Sequence, residues 1–142
     1  METMTCAPFT KGVLHAAREL MSPRWKAIHQ SDIVWNRSKS LPEPISTAMC
    51  RHASAFLLRA LKDAQRAYDL PARGWTVAKG SLSLTSLPTV PPYAQRNTEH
   101  FVLLGRDGQA IDATADQFGL DPLKAHDWSC LLYTSPSPRD RG

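Results

Sequence analysis

The apolar and polar positions along the chain divide it into a helical first half and a strand-forming second half. Val13, Ala16, Ala17 and Leu20 recur at three- and four-residue spacing, which predicts a helix over about 10–30 with Thr10 as its N-cap. Ser22-Pro23 predicts a break, because a residue before proline avoids the α region. A second helix would open there, with Ser22 as N-cap and Pro23 at the first position, and Trp25, Ile28 and His29 would share its face. The pattern leaves 32–39 open between helix and loop. Leu41-Pro42-Glu43-Pro44-Ile45 reads as a stiff extended connector. The clearest helix is predicted from Thr47 to about Tyr68. Its stripe is Cys50, Ala53, Leu57, Ala60, Leu61 and Ala64, widened by Phe56 and Leu58, with Arg51, Arg59, Lys62, Asp63 and Arg66 on the other side.

Beyond Gly74 the period changes to two. Trp75 to Leu84 is a strand candidate, and Ser81 to Leu87 alternates Ser or Thr with Leu. Pro88, Pro91 and Pro92 make 88–98 a surface loop rather than a central strand. His100 to Leu104 is an apolar run of strand length, Asp107-Gly108 is a hairpin turn signal, and Gln109 to Ala113 returns as a second strand. Counting outward from the turn sets Asp112 opposite Phe101 or Val102, one diagonal step from His100. Asp121-Pro122 predicts a short helix to about Asp127, with Asp121 as N-cap. The sum is an α+β domain: a helical N-terminal part over 1–40, and a core over 44–120 in which a central helix packs on an antiparallel sheet of three or four strands.

Composition narrows the function classes. With 142 residues, 42% hydrophobic and 21% charged, the chain is expected to be one soluble globular domain. No apolar run approaches the roughly 20 residues of a membrane span, and Met1 to Pro8 lacks the pattern of a secretory signal. The expected location is cytoplasmic, or exported without a visible signal peptide. The net charge of +4 is spread over scattered single residues, which argues against a nucleic-acid partner. Cys6, Cys50 and Cys130 have neither disulfide-framework nor zinc-ligand spacing. No metal or cofactor is expected.

The candidate chemistry centres on Cys50, His100 and Asp112. Cys50 falls in the first turn of its predicted helix, where unpaired N–H groups and the positive end of the macrodipole favour a thiolate. A free thiol pKa of about 8.5 drops to roughly 3.5–7.5 in such settings. A histidine beside a carboxylate is the orienting half of a nucleophilic triad. Cys50 would attack an acyl carbon, His100 would act as acid and base, and Asp112 would orient the imidazole. The Cys50 backbone N–H would be one oxyanion donor. Each residue also has a plain structural role: Cys50 on an apolar stripe is a core thiol, His100 a strand histidine, and Asp112 a loop cap. Asp116 and Gln117 read as turn and cap residues that could also line a cleft. His52 is a poor base, since i and i+2 on a helix point apart.

In order and element type, Cys50 opening a helix, His100 opening a strand and Asp112 ending the next resemble the papain-like fold in its transglutaminase-like branch. The turn Gly105-Arg106-Asp107-Gly108 and the stretch Asp112 to Gly119 are similar to those of uncharacterised bacterial members. The resemblance covers 44–120. It implies thiol acyl-transfer chemistry and not a substrate; the reading taken from it is transfer or hydrolysis at an amide or thioester bond, and the expected partner is a protein or peptide substrate. The other reading is a non-catalytic binding or immunity-type module that keeps the fold with a structural Cys50. Papain-like peptidases carry a Gln a few residues before the nucleophile as second oxyanion donor; here Glu43 to Met49 contains none. Gln30, Trp35, Asn36 and Gln117 are the substitutes the sequence offers.

Residues Cys130 to Asp140 resemble a translated sequencing adapter, which implies a natural segment of 1–129 followed by a non-native tail over 130–142. Arg139 and Arg141 against Asp140 then remove one net positive charge, leaving +3. Any strands beyond 129 would be missing.

Overall fold

The computed structural model describes residues 8–36, 40–70, 74–105, 109–126 and 132–134. The fold is α+β. Two helices, α1 (Pro8–Asn36) and α2 (Cys50–Ala67), pack against each other, and α2 packs against an antiparallel sheet. The strands are β1 (Thr76–Leu82), β2 (Glu99–Leu104), β3 (Ala110–Ile111), β4 (Ala125–His126) and β5 (Leu132–Thr134), in the spatial order β4-β3-β2-β1-β5. The sheet thus has five strands where three or four were expected. The additions are the two-residue β4 on β3, and β5, which pairs with β1 and lies inside the stretch that resembles an adapter. Among the described residues no helix is long and apolar enough to cross a membrane.

The first helix differs from its predicted form. It runs unbroken through Pro23, and its buried stripe is Thr10, Leu14, Ala17, Met21, Trp25 and His29. Leu20 is exposed and Val13 half-buried, so the helix is rotated from the expected face. Thr10 is a buried interior residue, because the helix already begins at Pro8. Proline costs a helix one backbone bond and about 3 kcal/mol. Burial of Met21 and Trp25, on either side of Pro23, offsets that cost, and Pro23 itself stands on the exposed face of the helix.

Each face of the sheet has its own cover. Leu103, Ile111 and Ala113 join Leu14, Trp25, Ala53, Leu57 and Leu61 in the core beneath the helices. Val102, Ala110 and Leu82 face the other way and meet Leu87, Ala94 and Phe118. Leu87 and Ala94 come from the segment between β1 and β2, and Phe118 from the turn after β3. The Ser/Thr–Leu alternation of the first segment does not extend the strand: residues 84–86 form a 3-10 turn, and a second such turn spans Pro92–Gln95. A third, Ala115–Phe118, follows β3 and ends on Gly119 at φ 78°. A Cβ on Gly119 would lie 2.9 Å from Thr89 Oγ1, so this turn requires glycine. The predicted helix from Asp121 is instead a tight turn leading to β4. Asp121 Oδ1 accepts the Leu123 N–H at 2.9 Å, and Ala125 pairs with Ile111.

Candidate active site

Cys50 is the first residue of α2, with Met49 as N-cap, so the helix starts two to three residues later than its predicted cap at Ser46 or Thr47. Those hydroxyls are used elsewhere. Ser46 Oγ donates to Asp116, and Thr47 Oγ1 donates to the Pro44 carbonyl at 2.7 Å. Ala48 then adopts φ 65°, the left-handed region that turns the chain into the helix. No side chain caps α2. The Cys50 N–H is among the first amides of the helix, which have no acceptor within it.

His100 opens the buried part of β2. Leu103 pairs with Ile111 and Leu104 with Ala110, which sets Asp112 opposite Val102 and on the face shared by His100. His100 Nε2 donates to Asp112 Oδ2 at 2.7 Å, with both side chains almost fully buried. The Cys50 side chain is close enough to the same imidazole to act on its titration. Since Asp112 occupies Nε2, Nδ1 is the nitrogen available to sulfur. Burial alone would lower the His100 pKa. The Asp112 charge and hydrogen bond, followed by the contact with Cys50, outweigh it and push His100 up to about 10. The ring edge also rests against Phe118, with centroids 4.8 Å apart.

The carboxylate is held from its other side. Asp112 Oδ1 accepts the Thr114 N–H at 2.9 Å and the Thr114 hydroxyl at 2.8 Å. Thr114 Oγ1 in turn accepts from Gln117 Nε2 at 2.9 Å. Gln117 Oε1 accepts the Ala48 N–H at 3.1 Å and the Tyr93 hydroxyl. A backbone N–H has only a proton to offer, so this contact fixes which end of the Gln117 amide is oxygen. These bonds form a chain from His100 through Asp112, Thr114 and Gln117 to Ala48, two residues before Cys50.

Of the substitutes for a second oxyanion donor, Gln117 is buried in this chain of bonds, with its oxygen used twice and its nitrogen turned to Thr114. Gln30 is exposed on α1. Trp35 and Asn36 fall in the last turn of α1, and their side chains lie outside the described residues. The Asp107-Gly108 turn, Cys6 and Cys130 also lie outside them. Asp116 is tied to α1 and to the turn before α2. It pairs with Arg18 of α1 at 3.1 Å and accepts from Ser46, while Arg18 also donates to the Ala113 carbonyl. His52 accepts the Trp25 indole N–H at 3.1 Å on Nδ1 and is not part of the cluster. Among the described residues no group of three or more His, Cys, Asp or Glu is placed to hold a metal ion.

The residue that sequence reasoning missed is Tyr93. It lies in the loop before β2, whose prolines identified it only as a connector leading to His100. Its pKa is pushed upward, first by burial and then by the charges of Cys50 and Asp112, against a lowering hydrogen bond from the Ala48 amide. The phenol therefore stays protonated at any working pH. The sequence signal available was position alone: a tyrosine seven residues before a candidate catalytic histidine.

Two surface grooves lie away from this cluster, one between α1 and residues 41–45 and one between the start of α1 and the end of α2. Neither is lined by Cys50, His100 or Asp112. Comparison with protein-family models gives no match, and comparisons with curated proteins and with solved structures give none either.

Proposed function

We propose that the protein is a thiol-dependent acyltransferase or hydrolase that acts on an amide or thioester bond, in the manner of papain-like and transglutaminase-like enzymes. The observation that carries this reading is the His100 ring, bonded to Asp112 at one nitrogen and in contact with the Cys50 thiol. An imidazole with a raised pKa beside a thiol holds it as a thiolate–imidazolium pair. The thiolate attacks the acyl carbon and forms a C–S bond. The carbonyl π electrons move to oxygen and return as the bond to the leaving group breaks. The His100 proton leaves with the departing amine or thiolate. Water or an amine then attacks the thioester, giving its proton to His100, and the thiolate is released. Asp112 keeps the ring in the tautomer that presents Nδ1 to sulfur.

The second reading, a binding module with a structural cysteine, is favoured by one observation: Cys50 is only 8% exposed. Acylation separates the two. Incubation with p-nitrophenyl acetate should place one acetyl group on Cys50, located by peptide mass mapping, and His100→Ala should slow this by about 10²-fold or more. An unmodified Cys50 in the folded protein would leave the binding module standing.

A further inference from the structure

We propose that the Tyr93 hydroxyl is the second oxyanion donor, acting with the Cys50 backbone N–H on the carbonyl oxygen of the group being transferred. This rests on the acyl-transfer reading above and adds to it a residue that touches the reacting atoms. Two observations place the phenol where such a donor is needed. Its hydroxyl and the Ala48 N–H converge on one oxygen, Gln117 Oε1, and Ala48 lies two residues before the nucleophile. Through that shared oxygen the hydroxyl sits one hydrogen-bond step from the Ala48 amide, and Cys50 is among the groups that push its pKa upward. It therefore lies beside the turn whose next amides begin α2.

The donor is held in place. Pro91 just before the turn and Ala94 within it are buried, and the Tyr93 carbonyl accepts the Arg96 and Asn97 N–H groups at 3.1 and 2.9 Å. A preorganised donor costs no rearrangement when charge develops on oxygen. Yet its proton is free to be redirected. A phenolic O–H rotates about its C–O bond, and Gln117 Oε1 keeps the Ala48 N–H when Tyr93 turns away. No buried acceptor is orphaned by the move. Tyr93 itself is only half-buried, so the residue is reachable from solvent.

Two reactions of the same sulfur test this. Iodoacetamide alkylates a thiolate by displacement of iodide at carbon, with no oxyanion. p-Nitrophenyl acetate acylates it through a tetrahedral oxyanion that expels p-nitrophenolate. Tyr93→Phe should lower the acylation rate by about 10²–10³-fold and leave the alkylation rate within about twofold (an alkylation step has no oxyanion to lose). The ratio of the two rates, taken on one sample, does not depend on the folded fraction. Equal losses in both reactions would make Tyr93 a brace for Gln117, and no loss in either would make it a bystander; both overturn the proposal. Wild-type protein inert to both reagents would overturn the acyl-transfer reading, and this proposal with it. Should Tyr93→Phe not fold, biosynthetic replacement of tyrosine by 3-fluorotyrosine keeps the shape and makes the phenol a stronger donor. The ratio of acylation to alkylation should then rise above that of the unsubstituted protein, and an unchanged ratio would overturn the proposal.

Discussion

Asp112 uses both of its carboxylate oxygens, one for His100 and one for the backbone and hydroxyl of Thr114. The bonds that cap the following loop and the bond to His100 are therefore made by the same side chain. Burying that charge is costly unless every lone pair is matched, and here the matching groups also aim the histidine. His100 has its pKa raised from 6.5 to about 10. In the unfolded chain the imidazole loses its proton near 6.5, while in the folded chain it keeps it to about 10. The stabilisation is therefore complete below about pH 6.5 and is lost as pH rises through 10. Thermal unfolding followed between pH 6 and 10 should show the melting temperature falling over that window. Asp112→Asn should flatten the fall, because the carboxylate charge is the chief cause of the raised value. A wild-type melting temperature that rises from pH 6.5 to 10 would contradict this assignment.

At the scale of elements, α2 and the β2–β3 pair were legible in the sequence because each carries one periodicity over its length. The stripe of α2 is buried at Cys50, Ala53, Leu57 and Leu61 as its spacing requires. The hairpin register sets Asp112 opposite Val102, within the predicted choice. The element ends were less legible. The Ser46 and Thr47 hydroxyls have capping chemistry, but tertiary contacts with Asp116 and Pro44 claim them, and α2 begins at Cys50 without a side-chain cap. The Pro23 signal was overruled for a similar reason: packing of Met21 and Trp25 outweighs the local preference. Since Pro23 stands exposed inside α1, Pro23→Ala should restore the missing backbone bond and stabilise the protein by up to about 3 kcal/mol. Urea unfolding measures this directly; a destabilised variant would mean that the proline ring itself is a packing element.

At the scale of the molecule, residues 112–118 connect what the rest of the chain holds apart. Asp112 reaches β2, Asp116 reaches α1 through Arg18 and the pre-helix turn through Ser46, and Gln117 reaches Ala48 and Tyr93. Cys50 and His100 are separated by 50 residues of sequence, and this one stretch bonds both to His100 and to the turn that leads into Cys50. Helix and strand patterns had no means of revealing it. The links are mostly side chain to side chain, with no period, and Tyr93 and Gln117 resemble ordinary loop polar residues until the chain closes around them. The N-terminal helix is part of the same arrangement, since Arg18 also donates to the Ala113 carbonyl beside Asp112.

The most direct test of a His100-activated Cys50 is the rate of Cys50 alkylation by iodoacetamide at neutral pH, with Cys6→Ser and Cys130→Ser as background, in wild type and in His100→Ala. The ion pair requires rapid modification of the folded protein and a loss of about tenfold or more when the imidazole is removed. A thiol that reacts only on unfolding, or that reacts equally fast without His100, would contradict it and leave Cys50 as a buried structural residue.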